Sequence, residues 1–225
     1  MKSPLLFLAT TLLCALARAA APDLDLHINY YSRVLTPEGV TRESRYAETM
    51  SRRPGHVWSA RVMPKQVAGR DEADHKAGQH KHFNHAVLPR HVIWENQQLR
   101  LEYVDAHEQQ VIAIPPSEYE NVNFDGSWSN SFYLLDPKLV EAMPLSPRAS
   151  ATAGARWRQA ERNGVFQRVL WDELKQIPLI IESGDKAGTF YRRVEVKPMA
   201  PRAAAAAPWS KLAAYGQKEY ADFLD

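Results

Sequence analysis

The chain has 225 residues, with 28 Lys and Arg against 26 Asp and Glu, so its formal net charge is only +2. A charge this close to balance, carried by basic residues that are scattered along the chain, gives no electrostatic attraction to nucleic acid and argues against nucleic-acid binding. The length is sufficient for one domain with a hydrophobic core, or for one domain with a tail.

Residues 1–19 have the three parts of a secretory signal peptide. Lys2 provides a positive start, residues 4–16 are apolar, and Ala17-Arg18-Ala19 matches the small-x-small pattern of a signal peptidase site. The apolar part is too short for a stable membrane-spanning helix, so we expect no transmembrane segment after cleavage. Cys14 is the only cysteine and lies in this segment, so the mature protein is expected to lack thiol chemistry. The predicted location is the periplasm.

Residues 20–197 have the pattern of an antiparallel β domain. Apolar side chains from Leu24 to Tyr30 alternate with polar ones, which is typical of a half-buried strand. Similar short runs follow at regular spacing, and turn sequences such as Asn163-Gly164 separate them. About ten strands without βαβ alternation predict a mainly β (α+β) fold, either a curved antiparallel meander sheet or an open half-barrel, with a C-terminal helix.

The stretch Val122–Leu145 has turn sequences at both ends and apolar runs between them. Asp125-Gly126 is a favourable turn pair, and Asp136-Pro137-Lys138 interrupts the apolar runs 131–135 and 139–143. We therefore expect these two runs to pair as a β-hairpin in the middle of the domain.

Residues 198–208 are rich in alanine and proline and are predicted to be a linker. Residues 209–225 are predicted to form a C-terminal helix, because their apolar side chains fall near a helical stripe. Core packing on its own domain is one interpretation of this stripe. The alternative is a protein–protein interaction module, in which the tethered helix binds another protein of the cell envelope.

Two motifs of the domain resemble a known superfamily. They are F-D-G-S-W…Y-L-L-D-P-K-L-V-E-A-M-P-L, and later R-V-L-W-D…I-P-L-I-I-E-S-G-D-K-A-G-T-F-Y-R-R-V-E-V. The first is similar to a hairpin of the periplasmic lipoprotein carriers, and the second to the penultimate hairpin of the same group. This LolA/RseB-like superfamily also includes envelope-stress sensors, and the resemblance covers approximately Val57–Lys197. It implies an open half-barrel whose apolar cavity receives acyl chains.

The resemblance implies that Trp128, Phe132, Tyr133 and Leu135 line or flank such a cavity. Trp58 and Trp94 lie on other predicted strands and belong either to the core or to the ligand site. No Ser-His-Asp, Cys-His or G-x-S-x-G arrangement is apparent in the sequence. The leading hypothesis is therefore a non-enzymatic periplasmic binding or carrier protein with an apolar ligand.

Histidines concentrate in and just after the polar segment 64–85, which is predicted to be a long loop. His75, His80, His82, His85 and His91 all fall within this part of the chain. If the segment is extended, His80 and His82 point to one side, and His85 is near enough to complete three nitrogen ligands. Imidazole ligands without thiols suit copper(II), zinc or nickel, so a copper or zinc protein is an alternative function. The other interpretation is a solvated polar loop without a cofactor.

Overall fold

The computed structural model describes residues 21–64 and 83–223, which form one large, open, curved sheet. The strands are Leu24–Leu35 (β1), Thr41–Arg53 (β2), His56–Arg61 (β3), Arg90–Glu95 (β4), Gln98–Asp105 (β5), Gln110–Ile114 (β6), Ala155–Arg162 (β7), Val165–Asp172 (β8), Ile177–Asp185 (β9), Phe190–Met199 (β10) and Gly216–Glu219 (β11). Their order across the sheet is β11-β6-β5-β4-β3-β2-β1-β10-β9-β8-β7. All neighbours are antiparallel except β11, which runs parallel to β6. The predicted mainly β fold and open curved sheet are confirmed.

The alternation in β1 sets the two faces of the sheet. Leu26 lies opposite Met50 of β2 and is fully buried. In the same register Val92 of β4 pairs with Leu101 of β5. We call the face that carries these four side chains the core face, because directly opposed residues share a face. The opposite face carries the other parity, including Asp25, Ser51 and His91. The Asn163-Gly164 turn joins β7 to β8 as predicted, with φ angles of 53° and 76° that suit this residue pair.

The hairpin predicted within Val122–Leu145 is wrong, because this stretch forms two short helices, Trp128–Tyr133 (α1) and Pro137–Ala142 (α2). The turn residues are helix caps. The Ser127 side chain accepts a hydrogen bond from the Asn130 backbone N–H, and the Asp136 side chain accepts one from the Lys138 N–H. Pro137 stands at the first position of α2, where no N–H is required. Ser, Asp and Pro favour both turns and helix starts, so local sequence alone did not separate the two structures.

The short helices and turns lie mostly on the core face. Phe132 of α1 joins the main apolar cluster with Val122, Phe124 and Tyr220, whereas Val140 of α2 packs on Val169 and Trp171 of β8. The 3-10 turns are Pro116–Glu118, Glu120–Val122, Ala204–Ala206, Pro208–Ala214 and Tyr220–Phe223. In the part of the chain that the structure describes, no helix is long and apolar enough to span a membrane.

The C-terminal segment is helical only in part. Instead of one helix over 209–225, its described residues form two 3-10 turns on either side of strand β11. The predicted linker is also shorter than expected, because β10 extends to Met199. Trp209 stacks on His56 and His91 of the opposite face, whereas Tyr220 packs in the core cluster against Phe83. The segment therefore passes around the β6 edge of the sheet and contacts both faces of its own domain.

Candidate ligand-binding site on the core face

Four of the six predicted ligand residues lie side by side on the core face. The ring centroids of Trp94 and Trp128 are 6.1 Å apart, those of Trp128 and Phe132 are 5.1 Å apart, and those of Phe132 and Tyr133 are 5.0 Å apart. Helix α1 supplies three of these rings and contacts β3 and β4. Trp94 keeps 41% of its surface exposed, whereas Phe132 is buried. The row is thus accessible to solvent at its Trp94 end.

The other two predicted residues lie elsewhere. Trp58 belongs to the opposite face, where its ring is 5.7 Å from that of His91. Leu135 packs at the smaller cluster of Val140, Val169 and Trp171. Strand β3 has apolar residues at both parities, Val57 and Trp58, so composition did not indicate which of them faces the core. The role of all six residues in ligand binding stays a prediction.

The predicted metal ligands His80 and His82 lie outside the described residues. His85 is described, and its Nε2 accepts a hydrogen bond from Asn123 Nδ2 at 3.1 Å. Within residues 21–64 and 83–223, no group of three His, Cys, Asp or Glu side chains is arranged to hold a metal ion. The copper or zinc site therefore stays a prediction from the sequence.

A half-enclosed cavity of about 270 Å³ lies on the core face beside the Arg61 end of β3. The segment 83–90 and the turn at Val122 form its other wall. The side chains or backbone that line it come from Tyr46, Glu48, Ser59, Arg61, His85, Ala86, Leu88, Arg90, Tyr103, Val122 and Asn123. Strands β3 and β4 are thus covered by α1 at one end and open into this cavity at the other.

The lining of the cavity is polar, with two arginines and one carboxylate. The guanidinium of Arg61 lies 3.8 Å from the centroid of the Tyr46 ring, and that of Arg90 lies 5.8 Å from the Phe124 ring. The Glu48 carboxylate accepts a hydrogen bond from the Tyr30 hydroxyl at 3.3 Å. The described lining therefore carries more positive than negative charge.

Three tyrosines that are partly or fully buried adjoin these charges. Burial raises the pKa of Tyr30 far above its usual range, and the Glu48 carboxylate reinforces the effect. Burial also raises the pKa of Tyr46 and of Tyr103, although nearby arginines act in the opposite direction. All three phenols are therefore neutral around pH 7 and keep their hydroxyl protons for hydrogen bonds.

The sequence reasoning did not identify Arg61, Arg90, Tyr46 or Tyr103 as site residues. A signal was present, because Arg90 has the same strand parity as Val92, and Glu48 has the same parity as Met50. A charged residue at a core-face position requires a partner or solvent. Charged residues at core-face positions of nearby strands, such as Glu48 of β2 and Arg90 of β4, indicate a polar cavity in an otherwise apolar face.

The chain matches no known family model, and no curated protein matches its sequence.

Several solved structures are similar to the chain at low sequence identity. An uncharacterised conserved protein from Thermus thermophilus has a TM-score of 0.42 at 8% identity, over 87% of this chain and 90% of that chain. The Pseudomonas aeruginosa MucA/MucB complex gives 0.36 at 10% identity, over 80% of this chain and 53% of that chain. A Vibrio parahaemolyticus domain described as an outer membrane lipoprotein-sorting protein gives 0.28 at 12%, over 84% and 88%. TM-scores this low carry no argument about function.

Proposed function

We propose that the protein is a non-enzymatic binding or carrier protein of the periplasm, which receives an amphipathic ligand on the core face of its open sheet. The observation that carries the proposal is the cavity between β2–β5 and the segment 83–90. Ligand sites in proteins are usually concave and largely preformed, with a few convergent polar groups on an otherwise apolar wall. Tyr46, Tyr103, Leu88 and Val122 provide apolar surface here, and the arginines provide the polar groups.

The aromatic row supports the same proposal. Trp94, Trp128, Phe132 and Tyr133 lie on the same face, over the other end of β3 and β4, and Trp94 is partly exposed. The signal-peptide pattern of residues 1–19 supports the periplasmic location.

Native mass spectrometry and a fluorescent fatty acid test this function. We expect the protein purified from the periplasm to carry a bound lipid-like molecule and to bind the fluorescent fatty acid in solution. Ser59→Trp fills the cavity from β3 and should weaken binding at least about tenfold. Ala60→Trp, on the other face of the same strand, is the matched control and should leave binding unchanged. An apo mass together with no uptake of the fatty acid by the unmodified protein would contradict the proposal.

A further inference from the structure

The strand register places the polar groups of the cavity next to one another. Glu48 of β2 lies directly opposite Arg61 of β3, and Ser59 lies opposite Arg90 of β4. Arg90 in turn lies opposite Tyr103 of β5. Directly opposed residues of an antiparallel pair share a face and bring their Cβ atoms to about 5 Å. Both guanidinium groups therefore emerge on the core face within two neighbouring strands.

Within the described part of the chain the two arginines differ, because Arg61 is only partly buried and open to water, whereas Arg90 has a buried donor. Neither guanidinium forms an ion pair with a described carboxylate, because the Glu48 carboxylate lies next to Tyr30 instead. The Nε of Arg90 is buried and has no hydrogen-bond partner among the described residues. A guanidinium has five N–H donors, and a buried donor without a partner is costly. An anion that enters the cavity would bind the terminal N–H donors of the two guanidinium groups that line it.

The remaining polar groups of the cavity also favour an anion. The neutral hydroxyl of Tyr46, the Ser59 hydroxyl and the Asn123 amide can donate hydrogen bonds, whereas the Tyr103 hydroxyl already donates to the Val122 carbonyl at 3.5 Å. Hydrogen bonds from guanidinium groups to carboxylate or phosphate oxygens are the strongest that these side chains form. Partial enclosure strengthens them further, because the local dielectric constant is lower than that of water.

The volume of the cavity limits what it can enclose. About 270 Å³ is slightly below the range of typical small-molecule sites, and it accommodates an acid group with a few carbon atoms rather than a whole lipid. The rest of a longer ligand would extend from the open side of the cavity.

We propose that Arg61 and Arg90 bind the acid group of the ligand, a carboxylate or a phosphate, so that the protein selects anionic over neutral amphiphiles. This inference rests on the proposed function and specifies its ligand class. Arg61 and Arg90 are the residues that determine specificity, and Tyr46 orients the acid group through its hydroxyl.

Isothermal titration calorimetry with four probes tests the inference. The probes are dodecanoate, dodecyl phosphate, the neutral dodecanol and inorganic phosphate, each below its micelle concentration where it forms micelles. We expect both anionic amphiphiles to bind at least about tenfold more tightly than dodecanol. Arg90→Gln and Arg61→Gln should each remove most of this preference. Arg33→Gln changes an exposed arginine of β1 and should have no effect.

The outcomes separate this inference from the function on which it rests. If dodecanol binds as tightly as dodecanoate, or if the variants at Arg61 and Arg90 bind like the Arg33 control, anion selection is wrong while the carrier function stands. If inorganic phosphate binds, no amphiphile does, and Arg90→Gln abolishes binding, the anion site stands and the carrier function is wrong. If no probe binds, both are wrong. Arg61 lies at the end of β3 and is only partly buried, so Arg61→Gln should fold even where Arg90→Gln does not.

Discussion

Arg52 has a fully buried charge in the interior of the protein. Its guanidinium donates to four backbone carbonyls, those of Pro22, Phe132, Lys175 and Gln176, at distances between 2.8 and 3.4 Å. The side chain also lies over the Phe132 ring, with 4.8 Å to its centroid. Burial lowers the pKa of Arg52 to about 10, so it is still charged at neutral pH. One side chain thus joins the segment before β1, the end of α1 and the turn between β8 and β9.

Replacing Arg52 by leucine should reduce the free energy of unfolding by about 3 kcal/mol or more, because several buried carbonyls lose their only described side-chain donor. Urea unfolding followed by circular dichroism measures the change. Arg33→Leu, at an exposed position, is the control and should change stability by less than about 0.5 kcal/mol. Equal effects of the two substitutions would show that the buried hydrogen bonds of Arg52 are not important for stability.

Asp25 shows that polar parity in a strand does not guarantee solvent exposure. It belongs to the polar parity of β1, yet only 1% of its surface is exposed. Its carboxylate accepts hydrogen bonds from Ser51 at 2.6 Å and from Arg53 at 3.0 Å. Burial alone would raise the pKa of Asp25, but these bonds and one from the Arg202 backbone lower it below the usual value. The residues after β10 cover this end of the opposite face.

Among the elements, the C-terminal segment has the most unusual contacts. The indole of Trp209 stacks on the rings of His56 and His91, with centroid distances of 5.0 and 5.4 Å. His56 Nδ1 is 3.1 Å from His91 Nε2, and His91 Nδ1 is 3.3 Å from a Glu102 carboxylate oxygen. Burial lowers the pKa of His56, and the neighbouring His91 and Arg100 lower it further, whereas Glu95 and Glu102 raise it. Trp209 is therefore packed on two imidazoles, and that of His56 is harder to protonate than an ordinary histidine side chain.

The lowered pKa of His56 predicts a loss of stability in mild acid. The unfolded chain binds a proton at His56 near its usual pKa of about 6.5, before the folded protein does, so protonation favours unfolding as the pH falls. We expect the urea midpoint to fall between about pH 7.5 and pH 5.5, and His56→Gln to reduce this fall. A profile of His56→Gln identical to that of the unmodified protein would refute the prediction.

Across the molecule, the two faces of the sheet are covered by different parts of the chain. Helices α1 and α2 and the loop before them cover the core face, whereas residues after β10 cover part of the opposite face. Strand β11 then adds to β6 at the sheet edge, and Tyr220 returns to the core cluster. This path makes the C-terminal segment part of its own domain and leaves its aromatic side chains engaged there, which argues against the hypothesis of a tethered partner-binding helix.

Deleting the residues after Pro208 should therefore destabilise the whole domain. The deletion removes β11 and Tyr220, and Tyr220→Ala alone should cost about 3 kcal/mol or more because it leaves a cavity in the core. Tyr215→Ala, at a half-buried position of the same segment, is the matched control and should cost clearly less. Thermal and urea unfolding measure both. A truncated protein as stable as the full chain would restore the tethered-partner hypothesis.

Local patterns were sufficient to predict strands such as β1 and several of the turns, but not β11, which lies in the segment predicted to be a C-terminal helix. The alternation from Leu24 to Tyr30 and the Asn163-Gly164 pair correspond to β1 and to the β7–β8 hairpin, because side-chain period and turn chemistry depend on adjacent residues. The same local reasoning failed at Ser127 and Asp136. These residues suit a turn and a helix cap equally well, and the packing of Phe132 and Val140 on the sheet decides for helices.

The candidate site could be predicted only in part, because it depends on strand order and register. The sequence and the resemblance predicted six ligand residues, and the structure places four of them in one row but Trp58 and Leu135 elsewhere. The sequence could not indicate that Arg61 and Arg90 line one cavity, because their strands β3 and β4 pair although 28 residues separate them in the sequence. The sequence also could not show whether Val57 or Trp58 of β3 faces the core. The alternation of side chains defines the two faces of a strand but not the elements that cover each face. Only long-range packing, including the return of the C-terminal segment over both faces, decided where the cavity lies.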